Sequence, residues 1–247
     1  MKAMILAAGL GTRLRPLTDN RPKALVEVAG RTLLEITLRR LASYGIREVI
    51  VNAHHFPDLI IEYLQKNDNF GLRIEVSCEE VLLDTGGGLK KAAWFFLENG
   101  SADPFILHNV DVISTIDLQG MAQFHIENHA LATLAVQNRE TSRYLLFDQN
   151  NDLCGRRAGR DGAAEMARPA KEVRARAFAG IHVISPALFG MMSEEGVFSI
   201  INTYLRLAAQ GERIAAFRAD EYYWRDLGRP ENLAQAASDV ERELLCL

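Results

Sequence analysis

Cysteine is scarce: Cys78, Cys154 and Cys246 are the only thiols in 247 residues. They show neither CxxC nor Cys/His spacing, and an odd count cannot close a complete disulfide framework. A disulfide-stapled module and a structural zinc domain are therefore set aside, and a reducing cytoplasm is expected. No apolar run approaches the roughly 20 residues that a membrane span needs. The apolar start after Met1-Lys2 breaks at Gly9-Leu10-Gly11 and meets Thr12-Arg13 where a secretory leader would place small residues, so the chain reads as soluble and unprocessed. Surplus positive charge is also missing. The 28 Lys and Arg against 32 Asp and Glu leave a net charge of −4, which argues against a broad nucleic-acid surface. Repeats, low-complexity tracts and linkers are absent, and 48% hydrophobic residues suffice for a full core, so one domain over residues 1–247 is expected.

What the chain does hold is concentrated at its start. The apolar run Met4-Ile5-Leu6-Ala7-Ala8 ends at Gly9 and Gly11, and Arg13, Arg15, Arg21 and Lys23 then crowd into one loop with Asp19 as the only acid. Glycines let backbone N–H groups approach an anion, and Arg and Lys add charge-assisted hydrogen bonds to phosphate oxygens. Two familiar phosphate loops are excluded by spacing: a dinucleotide fingerprint needs a third glycine where Leu14 stands, and a Walker A loop needs Gly-Lys-Ser/Thr after four intervening residues.

Strand and helix signals alternate through the first half. Ala3–Ala7 reads as a buried strand. Thr32 with Glu35 forms a capping box ahead of Leu34, Leu38 and Leu41, and Gly45 is the stop. Glu48–Val51 is the next strand, Pro57 suits the first turn of a helix through Ile60, Ile61 and Leu64, and Leu72–Val76 follows as a strand. A helix is expected from Gly88 through Leu97, then the strand Phe105-Ile106-Leu107 ending at Asn109-Val110-Asp111. This alternation predicts an α/β fold: a Rossmann-like mixed, mainly parallel sheet with helices on both faces. In such sheets ligands gather beyond the carboxyl ends of the strands, which is where the Gly9–Lys23 loop, Asp84–Gly88 and Asp111 fall.

The second half changes character, with strands expected at Ala130–Val136, Tyr144–Phe147 and Ala177–Ile184, a turn at Asn150-Asn151-Asp152, and a helix from Pro186. The basic stretch Arg156 to Arg176 reads as a mobile loop. His125 and His129, at i, i+4 spacing, read as surface residues rather than zinc ligands, since no third ligand is near. Asp111 and Asp226, each after an apolar strand, are a natural Mg²⁺ pair if the fold joins them, and helix caps or turn residues if it does not.

The stretch from Leu6 to Lys23 closely resembles the signature of the sugar-1-phosphate nucleotidyltransferases, as do Leu83-Asp84-Thr85-Gly86-Gly87-Gly88, Asn109-Val110-Asp111, Phe178-Ala179-Gly180-Ile181 and Trp224-Arg225-Asp226-Leu227-Gly228-Arg229-Pro230-Glu231, in the family's order. The resemblance implies transfer of a nucleotidyl group from a nucleoside triphosphate to a sugar 1-phosphate, with Mg²⁺ as cofactor. It implies a nucleotide-binding half over about residues 1–128 and a sugar-phosphate half over about 129–247, in a monomer or homodimer without nucleic-acid or membrane partners. It assigns catalysis to Arg13 and Lys23, nucleotide binding to Leu6, Ala8, Gly9, Gly11, Thr12, Arg13, Lys23, Thr85 and Gly86, metal binding to Asp111 and Asp226, and sugar-phosphate binding to Gly180, Glu165 and Lys171.

Arg15 and Arg21 receive no assignment. Glu79 and Glu80 lie near where relatives place a base-contacting side chain. The family commonly has Gly where Val110 stands, and a β-branched residue there restricts the backbone beside the ribose. Among relatives the chain looks most similar to the bacterial N-acetylmuramate-1-phosphate uridylyltransferases of cell-wall sugar recycling. The alternatives are a mannose- or heptose-1-phosphate guanylyltransferase and, from another class, a non-catalytic nucleotide-sugar-sensing or scaffold member of the fold. The cations Arg156, Arg157, Arg160, Arg168, Lys171, Arg174 and Arg176 are expected to favour an acidic acceptor. Loss of Lys23, in a loop read as lying outside the core, is expected to leave stability almost unchanged.

Overall fold

The computed structural model describes residues 1–242, so Cys246 lies outside the described residues. The chain divides into two compact units, the first drawn from Met1–Asp84, Leu107–Ile116 and the described chain from Tyr222 on, the second from Thr85–Ile106 and Asp117–Glu221.

In the first unit, β1 (Ala3–Leu6) is followed by a short hairpin, β2 (Glu27–Val28) and β3 (Arg31–Thr32), turned at Ala29 and Gly30. Helix α1 (Leu33–Ser43) starts where expected, with Thr32 Oγ1 accepting the Glu35 N–H at 3.0 Å. Glu35 does not close the reciprocal half of the box; its carboxylate takes the Arg39 guanidinium and the Tyr63 hydroxyl instead. Strand β4 (Glu48–Ala53), helix α2 (Pro57–Lys66) with Pro57 in its first turn, and β5 (Arg73–Cys78) complete a parallel β1-β4-β5 array. Its middle strands are buried through Ala3-Met4-Ile5 and Val49-Ile50-Val51, the continuous apolar runs of a sheet covered on both faces.

The next helix corrects the expected start at Gly88. Helix α3 (Asp84–Lys91) runs through all three glycines before α4 (Ala93–Leu97). Glycine's poor helix propensity makes this stretch look like a turn, yet a Cβ at Gly86 would collide with the Phe198 ring, so close packing selects the residue. Strand β6 (Phe105–Asn109) leads to β7 (Val112–Ser114), then α5 (Leu118–Glu127), capped by Asp117.

In the second unit, β8 (Ala132–Gln137), β9 (Arg143–Phe147), β10 (Leu153–Ala158), β11 (Ala164–Met166) and β12 (Arg174–Ile184) precede α6 (Ala187–Met191), α7 (Ile200–Ala209) and β13 (Ile214–Arg218). The strand order is β11-β10-β9-β12-β8-β13, antiparallel except for the parallel β8–β13 pair. The sheet is therefore mixed, as expected, with the antiparallel share in this unit. Phe96, Phe105 and Phe189 stack within its core. The basic stretch expected to be a mobile loop carries strand at its two ends and in its middle, with turns between: Arg156 sits opposite Glu165 across the β10–β11 pair, and their ion pair of 2.7 Å supplies the cross-strand attraction. His125, expected at the surface, is buried with Nδ1 3.0 Å from Thr133 Oγ1, while His129 lies beyond the end of α5 in a left-handed turn. Strand β14 (Trp224–Asp226) and α8 (Pro230–Glu241) return to the first unit, where β14 pairs antiparallel with β7.

Candidate active site

The loop after β1 is pinned before it turns. The Ala7 N–H donates to Asn52 Oδ1 (2.7 Å), Asn52 Nδ2 donates to Glu79 Oε1 (2.7 Å), and Glu79 Oε2 accepts the Leu83 N–H (2.9 Å). Asn52 and Glu79 are buried. Glu79, one of the two acids near the expected base position, thus has both oxygens engaged inside the protein, and Glu80 is exposed. A buried amide inside Val49-Ile50-Val51-Asn52-Ala53 was the available sequence signal for this network, because an uncharged polar residue in a two-sided core strand needs partners.

Gly11 has a left-handed φ of 65°, and a Cβ there would lie 2.9 Å from Thr18 Cγ2 and 3.0 Å from Lys23 Cβ. Glycine is required for both conformation and space. The Thr18 hydroxyl donates to the Gly11 carbonyl (2.9 Å), and Leu14 is fully buried beneath the short helical turn Thr12–Leu14. Gly9, Thr12 and Arg13 stay exposed, Ala8 is buried and Leu6 is half-buried. Arg13 makes no side-chain hydrogen bond or ion pair among the described residues, whereas Arg15 pairs with Asp19 at 3.4 Å. Arg21 lines an open pocket of about 360 Å³ with Pro16, Leu17, Asn20, Val26 and Glu27.

Two strands from distant parts of the sequence deliver the carboxylates. Asp226 ends β14 opposite Val112 of β7, and the Leu227 N–H donates to the Asp111 carbonyl at 2.7 Å. Asp111 is ion-paired to Lys23, with side chains only 19% and 10% exposed. Asp226 Oδ1 accepts the Gly228 N–H (2.6 Å), and a Cβ on Gly228 would lie 2.6 Å from Arg13 Nη2 and 2.7 Å from Asp226 Oδ1. The first unit therefore brings Arg13, Lys23, Asp111 and Asp226 together with the glycine loop. Val110, where a glycine was expected, is buried with its N–H on the Leu6 carbonyl (3.1 Å) and has no left-handed φ, so the backbone accepts the β-branched residue. Two residues earlier His108 is buried with Nε2 lacking a partner among the described residues; its pKa falls to about 3 through burial, reinforced by the Arg40 charge.

The remaining candidates lie in the second unit. Thr85 Oγ1 accepts the Ile200 N–H (3.0 Å), and the Gly86 and Gly87 N–H groups both point to the Phe198 carbonyl. Gly180 has a φ of 76° where the register of β12 slips between Phe178 and His182. Glu165 is taken by Arg156, and Lys171 is exposed between β11 and β12. Among the seven cations expected to greet an acidic acceptor, Arg156, Arg160 and Arg168 are paired with Glu165, Glu140 and Asp148, respectively. Arg176, by contrast, has its pKa lowered, first by burial and then by the like charges of Arg218 and Arg174, with Asp220 opposing.

The sequence model of the nucleotidyl transferase family matches residues 2–243. An N-acetylmuramate alpha-1-phosphate uridylyltransferase of Caulobacter vibrioides is 35% identical, the match covering 93% of this chain and 92% of the relative. A mannose-1-phosphate guanyltransferase of Yarrowia lipolytica is 32% identical over 94% of this chain, which spans 62% of that longer protein. Among solved structures, a putative glucose-1-phosphate thymidylyltransferase from Bacillus anthracis superimposes with a TM-score of 0.79 at 18% identity, covering 100% of this chain and 97% of that one, and shows the same fold.

Proposed function

Because the chain belongs to the nucleotidyl transferase family, we propose that it joins a nucleoside triphosphate to a sugar 1-phosphate, forming a nucleoside diphosphate sugar and releasing pyrophosphate. The observation that carries this reading is the meeting of Arg13, unpartnered among the described residues, with Lys23, Asp111 and Asp226 around one glycine loop. A sugar phosphate with a second pKa near 6 is already largely dianionic at pH 7 and needs no base to attack. The protein's task is to hold two anions in line and to meet the charge growing on the leaving group. Gly9, Gly11 and Thr12 present backbone N–H groups to the triphosphate, with Leu6 and Ala8 shaping the wall, and Arg13 binds the departing phosphates. Lys23 exchanges Asp111 for phosphate oxygen as the nucleotide enters. Two carboxylates on adjacent strands, with no cluster of three or more metal-ligating side chains among the described residues, fit a Mg²⁺ that keeps phosphate oxygens and water as its other ligands. Bound by Asp111 and Asp226, Mg²⁺ supplies electrostatic neutralisation of the phosphates.

For the donor and acceptor we propose UTP and N-acetylmuramate 1-phosphate, which places the enzyme in cell-wall sugar recycling. The 35% identical uridylyltransferase supports this choice. So does Glu79, whose oxygens are engaged by Asn52 and Leu83 rather than turned to the N–H edge of a guanine. Thr85 and Gly86 serve the base, Gly180 the hexose ring, and Lys171 the sugar phosphate. Arg157, Arg174 and Arg176 are the cations left for the acceptor's carboxylate. A cytoplasmic site fits the unbridged Cys154 thiol, and among the described residues no helix is long and apolar enough to cross a membrane.

Pyrophosphate release from a panel of triphosphates and sugar phosphates tests the reading. UTP with N-acetylmuramate 1-phosphate should be fastest; N-acetylglucosamine 1-phosphate should be slower and less sensitive to salt, since it lacks the screened carboxylate contact. Faster guanylyl transfer to mannose or heptose 1-phosphate overturns the substrate assignment and leaves the reaction class. Asp111→Asn should lose about two orders of magnitude in turnover.

A further inference from the structure

Arg40 has no part in the chemistry above, yet its side chain is half-buried, and that burial lowers its pKa. Nη1 donates to the Ser114 carbonyl and, at 2.6 Å, to Ser114 Oγ; Nη2 donates to the Ile116 carbonyl; the Tyr44 ring lies 5.9 Å away. No carboxylate is among its partners within the described residues. Withdrawing a cation even partly from water without a carboxylate partner is unfavourable unless its donors are used.

Its acceptors explain its place. They lie at the end of β7 and just beyond it, and β7 is a three-residue strand whose one partner among the described residues is three-residue β14, too short to hold its register unaided. That ribbon carries Asp111 immediately before its first residue and Asp226 opposite Val112. The other strand is held independently. From α8, Asp239 Oδ2 accepts the Tyr223 hydroxyl (2.6 Å) and Arg225 Nη2 (2.8 Å). One helix thus grips each strand.

We infer that Arg40 is a positioning residue for the metal-binding pair: by fixing β7 against α1 it sets, through the β7–β14 register, the separation at which Asp111 and Asp226 share one divalent cation. The inference rests on the reading of those two acids as metal ligands.

Mn²⁺ binding to the protein with nucleotide present, followed by water-proton relaxation, tests it on Arg40→Met, Arg40→Lys, Asp226→Asn and Leu38→Ala. Loss of an outer support typically weakens metal affinity by about 10- to 100-fold, so Arg40→Met should weaken Mn²⁺ by at least about tenfold and leave metal-free nucleotide affinity within about twofold. Arg40→Lys, which keeps the charge without the two-pronged geometry, should fall between. Leu38→Ala empties a buried position on the same helix and controls for general destabilisation: it should lower the unfolding midpoint without moving Mn²⁺ affinity. Wild-type Mn²⁺ affinity in folded Arg40→Met overturns the inference. Should that variant not fold, wild-type affinity in Arg40→Lys does so. Equal weakening in Leu38→Ala overturns it too, by reducing Arg40 to general support. Unchanged Mn²⁺ binding in Asp226→Asn removes the metal pair itself, and the role of Arg40 with it, whereas weakened binding in Asp226→Asn beside wild-type affinity in Arg40→Met keeps the pair and overturns only the inference.

Discussion

Replacing Lys23 by Met should destabilise the free protein substantially, contrary to what its place in a surface loop implies. Lys23 is only 8% exposed and its ammonium is paired with Asp111, itself set in the β7–β14 ribbon. Breaking a buried ion pair costs about 3–5 kcal/mol and an exposed one about 0–1 kcal/mol; with side chains 10% and 19% exposed, each single loss is expected at about 2–3 kcal/mol. The double variant Lys23→Met/Asp111→Leu, with no orphaned charge, should be less destabilised than the sum by at least about 1 kcal/mol. Urea unfolding in EDTA measures all four proteins. Millimolar Mg²⁺ then separates the two single variants: it supplies the positive charge Asp111 has lost in Lys23→Met and should restore that protein, whereas Asp111→Leu offers it no carboxylate at that position. Lys23→Arg should not recover kcat/KM, since a planar guanidinium is not a compact ammonium and Gly11 leaves little room beside the stem. A Lys23→Met protein within about 0.5 kcal/mol of wild type in EDTA would refute the buried-pair argument.

Gly228→Ala places a methyl between Arg13 Nη2 and Asp226 Oδ1, so kcat/KM should drop on the order of 10- to 100-fold while the urea midpoint barely moves; unchanged kinetics would separate Arg13 from the metal edge. Acid should destabilise the fold below pH 6.5, because burial holds the pKa of His108 near 3 and that of His125 near 4 while both protonate freely on unfolding. The unfolded chain binds more protons across that window, so stability falls with pH by about 1.4 kcal/mol per unit for a fully buried histidine until the folded pKa is reached. His108→Leu should flatten this limb between pH 6.5 and 4 in urea titrations, with Arg40 and Asp111, the charges that act on it, left in place; an unaltered slope would mean that His108 is protonated in the fold.

Much of this architecture is legible in the sequence, and the errors have a common physical origin. The Thr32 half of the α1 capping box, the Pro57 start and the Gly45 stop are local, written within one turn of chain, and they stand as read. The glycines of α3 mislead because their reason is Phe198, distant in sequence, and the basic β10–β11 hairpin misleads because Arg156-Arg157-Ala158 and Ala164-Glu165-Met166 carry no hydrophobic period. Even there the residue types retain a trace, since Arg156 has Glu165 to find. Arg40 and Asn52 leave a weaker one. Arg40 bonds to the main-chain carbonyls of Ser114 and Ile116, and Asn52 takes the Ala7 N–H. Every residue has a carbonyl and nearly every one an N–H, so no partner side chain advertises the contact. A polar group in a buried strand or on the buried face of a helix announces that it needs a partner but does not say where. In this chain those unspoken partners are the backbone segments beside the phosphate loop and the acid-bearing ribbon.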